Sequence, residues 1–199
     1  MAFFNDLVRV IASVEGMEEM TVRGICLSVR DAGHVSKGGR GLSAAKMSVR
    51  DAANLLIGVN ASSIARSAGS IVQSYRDLQL TDRVHLRDDE SGRIFKAPAL
   101  REDLGSYLEF LIDTYGNPGS IGDRILSDEA QSELHQLSVE IAFSKPEPYA
   151  EATYRLRDTN KNYAVFWFMG TGNFSSADRR DTTTISDKTL RAVAEVLFS

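Results

Sequence analysis

The sequence predicts an α+β fold, and three observations carry that expectation. Apolar residues recur at helical spacing through the first half. Three runs at strand spacing, joined by hairpin-length connectors, fill much of the second half, and a capped amphipathic helix closes the chain. With 199 residues, 43% of them hydrophobic and 25% charged, the chain has the balance of an ordinary globular protein. That length suits one medium domain or two small ones.

The elements follow in order. Phe4, Leu7, Val8 and Ile11 predict a first helix over 3–14, ended by Gly16. Met20, Ile25, Leu27 and Val29 predict a second over roughly 18–31, with Gly33 suited to the left-handed position after it. Two short helices on a tight turn form a helix-turn-helix-like unit. "HVSKGGRGLSAAKM" lacks periodicity. Ser48 then restarts regular structure as an N-cap, with Asp51 three residues on as a short-armed capping box. The helix behind it carries Ala52, Leu55, Leu56 and Val59, breaks or kinks at "NASS" (60–63), and continues through Ile64, Ala68, Ile71, Val72 and Tyr75 to about 78.

Composition shifts at "DRVHLRDDESGRIFKAPA" (82–99), which reads as a hairpin or linker. Leu104, Tyr107, Leu108, Leu111, Ile112 and Tyr115 share one face of a helix over 101–115. "GNPGS" (116–120) reads as a turn, and Ser127 as the cap of a short helix to about Leu134. "LSVEIAF", "YAEATYRLR" and "YAVFWFM" read as strands of an antiparallel meander, the last a fully apolar central one. "DRRDTTTI" (178–185) is a fourth strand candidate. Ser186 caps a final helix with Leu190, Val193, Ala194 and Leu197 on its apolar face.

Charge is unevenly placed. Residues 21–50 hold six basic side chains against one acid, Asp31. That local +5 leaves −9 on the rest of a chain whose net charge is −4. A basic patch on an acidic body points to a polyanion. The glycines of "SKGGRG" let backbone N–H groups approach phosphate closely. A nucleotide P-loop is excluded, because the segment before Gly33 reads as helix rather than strand and Lys37 precedes Gly38. Helix, turn, helix, basic loop and further helix is instead the order of a winged helix-turn-helix, in which the second helix reads the major groove and the loop grips backbone or minor groove. A solvated connection is the competing reading of the loop.

"VRDAGHVSKGGRGLSAAKMSVRDAANLL" (29–56) resembles the winged-helix segment of MerR-type regulators. The match rests on Asp31-Ala-Gly-His-Val35, basic Lys37 and Arg40, and Ser48-Val-Arg-Asp51 with Leu55 and Leu56. It is also similar to bacterial and phage helix-turn-helix proteins carrying an "AG-hydrophobic-x-x-GGRG" stretch. The resemblance covers 28 of the 199 residues and implies DNA contact by the wing and by helix 18–31. The chain departs from the MerR pattern in its longer N-terminal helices, its lack of an aromatic pair in the second helix, and its strand-rich C-terminal half.

These readings combine into one expectation. Residues 1–80 form a winged helix-turn-helix domain, 81–99 a linker or hairpin, and 100–199 an α+β domain for dimerisation or sensing. Recognition falls to helix 18–31 and the wing to 36–47. The expected DNA contacts are Arg23 and Arg30 on the helix, Ser36, Lys37, Gly38, Gly39, Arg40, Gly41 and Lys46 on the wing, and Arg50 on the next helix. The protein is then a sequence-specific transcriptional regulator that binds double-stranded DNA as a homodimer, with room for a protein partner at its C-terminal half. The alternative is a phage-type interaction or assembly protein, such as an antirepressor, packaging or anti-defence factor, working through protein contacts.

Neither reading needs an enzyme's residues, and no grouping of nucleophile, base and acid stands out. Three scattered His and one Cys supply no zinc ligand set, and no cofactor is expected. "MAFFNDLVRVIASVEG" does not read as a signal peptide, and the longest apolar run, Ala164 to Met169, is far too short to span a bilayer. With Cys26 as the lone cysteine, a reducing cytoplasm is the expected compartment. Cys26 itself reads as a buried structural thiol and "RDDES" (87–91) as a solvated hairpin tip.

Overall fold

The computed structural model describes residues 2–38, 45–85, 102–117, 137–157, 160, 162–170 and 180–199. Among them are six helices and five strands, all antiparallel, in an α+β arrangement. The helices are α1 (Phe4–Glu15), α2 (Glu19–Asp31), α3 (Val49–Ala61), α4 (Ala65–Arg76), α5 (Leu104–Gly116) and α6 (Asp187–Phe198). The strands are β1 (Gln79–His85), β2 (Leu137–Lys145), β3 (Tyr149–Leu156), β4 (Asn162–Met169) and β5 (Asp181–Ser186). Their order across the sheet is β1-β4-β3-β2-β5, so β2, β3 and β4 make a meander flanked by β1 and β5.

Local chemistry sets the helix ends. Gly16 and Gly33 adopt φ +67° and +91°, left-handed values that L side chains resist, and stop α1 and α2. At α3 the Ser48 hydroxyl accepts from Asp51 N (3.1 Å) while Asp51 Oδ2 accepts from Ser48 N (2.8 Å), a reciprocal capping box. The "NASS" stretch is a break: α3 and α4 meet at 118°, and Ser62 Oγ donates to Gly58 O (2.7 Å) where α3 ends. Asp103 caps α5 and Ser186 caps α6.

Strand β1 has no counterpart among the sequence expectations, which carry a helical stripe to 78 and a hairpin or linker over 82–99. Its register on β4 shifts between Leu80 and Asp82, so no clean period of two survives in "QLTDRVH". The rest of the 82–99 stretch, from 86 on, lies outside the described residues. So do the expected helix at Ser127 and all but the first two residues of "GNPGS".

One apolar interior draws on both sides of the boundary expected at 81–99. One face of the sheet buries Val139, Ile141 and Phe143 of β2, Ala150, Ala152 and Tyr154 of β3, and Phe166 and Phe168 of β4. Onto it α5 lays Tyr107, whose ring lies 5.0 Å from Phe168 and whose hydroxyl meets that of Tyr154 at 2.5 Å. Tyr75 of α4 packs on Phe143 and donates its hydroxyl to Ser144 O. Helix α3 is buried from Asp51 to Ala61, packed among α2, α4, α5 and the β2–β5 side of the sheet. Helix α1 rests on α2 and α6. Small residues let α2 come close: a Cβ on Gly58 would lie 2.4 Å from Val29 Cγ2, and one on Gly69 2.7 Å from Ser28 O. Among the described residues no single helix is long and apolar enough to cross a membrane.

Candidate nucleic-acid interface

The basic residues of α2 come together with the segment that leaves it. Arg23 and Arg30, seven residues apart on one helical face, turn toward the start of α1. Arg23 Nη1 donates to Asn5 Oδ1 at 2.8 Å, and the Arg30 guanidinium carbon sits 5.1 Å from the centroid of the Phe4 ring. A cation over an aromatic face is attracted by the ring quadrupole, so Phe4 fixes the direction of Arg30. Lys37 Nζ folds back to Asp31 O at 3.3 Å, on the C-terminal turn of α2, where a cation is favoured by the helix dipole.

These side chains line an open groove of about 700 Å³, walled by Phe4, Asn5, Arg23, Arg30, Lys37 and Gly38. Ser36 lies on the same wall. Asp31 is the acid among the described lining residues, and its carboxylate is 3.5 Å from Arg30 Nη2. Across the stem a second hollow of about 430 Å³ is bounded by His34, Ser36, Lys37, Ser48 and Arg50. Lys46 is exposed, and its backbone pairs with Phe3 in an antiparallel bridge backed by Met47 N to Ala2 O (3.0 Å). The returning arm of the loop is thereby tied to the root of α1. Gly39, Arg40 and Gly41 lie outside the described residues.

Beneath the stem, Asp51 gathers donors from both arms. Its Oδ1 accepts from Ser36 N (2.8 Å) and Ser36 Oγ (3.2 Å), and its Oδ2 from Ser48 N and Oγ (both 2.8 Å). Asn54, one turn further into α3, donates to His34 O at 2.6 Å and accepts from Arg76 Nη1 at 2.7 Å. Arg76 continues to Glu109 Oε1 at 2.5 Å.

The sequence nominates Arg23, Arg30, Ser36, Lys37 and Gly38, and all five meet at one groove. It does not nominate Phe4 and Asn5, which arrive from α1 through tertiary docking and leave no pattern. For Asn54 a signal exists: a carboxamide inside the apolar run "AANLLIGV" must find buried partners. A further hollow of about 460 Å³ at the β2–β3 turn, lined by Lys145, Pro146, Tyr149 and Arg180 among others, contains none of the nominated residues. Comparison with protein-family models, curated proteins and solved structures finds no match for this chain.

Proposed function

We propose that this protein is a DNA-binding regulator of winged helix-turn-helix type, in which α1 and α2 form the helix pair and the basic segment 36–47 is the wing. The observation that carries the reading is the convergence of Arg23, Arg30 and Lys37 on one open groove with Asn5 and the Gly38 backbone. Cations and small hydrogen-bonding groups around a concave surface match a phosphate backbone. The acid nearest the stem, Asp51, spends both oxygens on internal donors and is buried.

Charge also orients the contact. Glu18 and Glu19, exposed at the start of α2, repel phosphate, whereas Arg23, Arg30 and Lys37 follow toward its end. The helix therefore meets DNA along the face that carries Arg23 and Arg30, away from its acidic start, together with the adjoining wing. A homodimer would present two such grooves to symmetric half-sites and multiply a modest single-site affinity.

The test is a salt titration of binding to random-sequence duplex DNA. Log K should fall linearly with log salt, and Arg23→Ala, Arg30→Ala or Lys37→Ala should each reduce the slope by about one where the residue meets a phosphate. Negligible binding at low salt would sink the proposal and leave protein contact as the role of this face.

A further inference from the structure

We infer that Asp51 is the positioning residue of the DNA contact, holding both roots of the wing on a single carboxylate. The inference rests on the DNA-binding reading above and adds to it a residue that touches no DNA.

Ser36 and Ser48 are twelve positions apart in the chain, yet each gives its amide and hydroxyl to one oxygen of Asp51, at 2.8 and 3.2 Å for Ser36 and 2.8 Å for both groups of Ser48. An N-cap needs only the Ser48 half of this arrangement. The Ser36 half does nothing for the helix; it closes a loop. Fixing the ends of such a loop costs entropy that a free loop would otherwise lose on binding.

The residues next to the two roots carry charge. Lys37 follows Ser36, while Lys46 lies two residues before Ser48 and Arg50 two after it. Asn54 supports the same stem one turn deeper by holding His34 O at 2.6 Å. Asp51 is 4% exposed, so its carboxylate faces the stem rather than solvent.

Charge and positioning predict opposite signs for one substitution. Asp51→Asn removes a negative charge beside a phosphate-binding face, which by field alone strengthens DNA binding. It also removes an acceptor, because the amide keeps one oxygen and its nitrogen cannot receive the donors of whichever serine it faces. If Asp51 positions the wing, Asp51→Asn weakens binding roughly tenfold per folded molecule and leaves the salt slope unchanged. Lys37→Ala, in contrast, lowers the slope by about one. Asp51→Glu, which keeps the charge but displaces it, should weaken binding as well.

The experiment measures affinity and salt slope for these variants, with folded fractions taken from urea unfolding. Hydrogen exchange at the Ser36 amide of the wild type, slow in the free protein by this account, is read in parallel and needs no variant to fold. Weaker binding at constant slope with a protected Ser36 amide supports the inference. Wild-type binding that Asp51→Asn preserves or strengthens overturns it alone, as does fast exchange at Ser36. Absence of salt-dependent binding in the wild type overturns the DNA reading and this inference together.

Discussion

Arg76 donates to Asn54 at 2.7 Å in the interior of the protein, and Asn54 in turn donates to the carbonyl of His34 at 2.6 Å. Asn54 is 2% exposed and Arg76 6%. A cation so placed is tolerable only because Asn54 and Glu109 surround it. The chain of bonds runs from His34, just after α2, through α3 and α4 to α5.

Removing Glu109 should therefore cost more than its own position suggests. Its side chain is 29% exposed and could be solvated alone, but Arg76 could not. Glu109→Ala is expected to destabilise the fold by about 3 kcal/mol or more, the usual consequence of leaving a buried charge unpaired. Adding Arg76→Met, which removes that charge and keeps the volume, should recover part of the loss. Urea unfolding of the single and double variants checks this; a double variant less stable than Glu109→Ala alone contradicts it.

Glu15, at the end of α1, gives stability a pH dependence near neutrality. Burial raises its carboxyl to about 7 from the ordinary 4.5, against the opposing pull of the Asn60 amide. The folded state thus holds a proton that the unfolded state has released between 4.5 and 7. Stability is complete below 4.5, declines as pH rises through 7, and levels off above, a loss on the order of 2 kcal/mol for a partly exposed group. Glu15→Gln should flatten this decline in urea midpoints measured across the range. An unchanged pH profile in that variant would assign the decline elsewhere.

Two glycines should respond in opposite directions to alanine. At Gly69 a new Cβ would lie 2.6 Å from Ala32 Cβ and 2.7 Å from the backbone Ser28 O, neither of which can swing away. Gly69→Ala is expected to cost about 1–3 kcal/mol through overpacking of α2 on α4. At Gly24 the nearest atom is 3.9 Å away, and Gly24→Ala should stabilise by about 0.5–1 kcal/mol through helix propensity. Thermal or urea midpoints separate the two.

Cys26 should resist alkylation in the native protein. It is fully buried, and burial together with the nearby Glu15 carboxylate pushes its thiol up to about 12. The thiolate that reacts is then scarce and inaccessible at neutral pH. Iodoacetamide labelling should appear only with urea, along the unfolding transition; rapid labelling without denaturant would contradict the packing of α2.

Local rules made much of the fold legible. Gly16, Gly33, Ser48 with Asp51, and Ser186 punctuate the chain where the helices start and stop, because capping is settled within a few residues. Val139, Ile141 and Phe143 alternate as they pair. Strand β1 escaped because its irregular register on β4 erases the alternation that would reveal it. At the groove, Arg23 and Arg30 were readable from their spacing. Phe4 and Asn5 were not, since their place depends on how α1 docks. Asn54 announced a buried partner without naming it: Arg76 lies twenty-two residues on, beyond the 118° bend between α3 and α4.

The contact of α1 with α6 has a consequence for how the protein is made. Phe4 and Asn5, which complete the groove, ride on a helix supported by residues 187–198. A nascent chain emerging N-terminus first carries the basic segment long before it carries that support. The groove therefore takes its final shape only once residues 187–198 are available for α1 to pack against, a contact between segments far apart in the chain. Until then the cations of α2 and residue 37 stand on an unfinished frame, and a chain halted before residue 187 carries the charge of the groove without its shape.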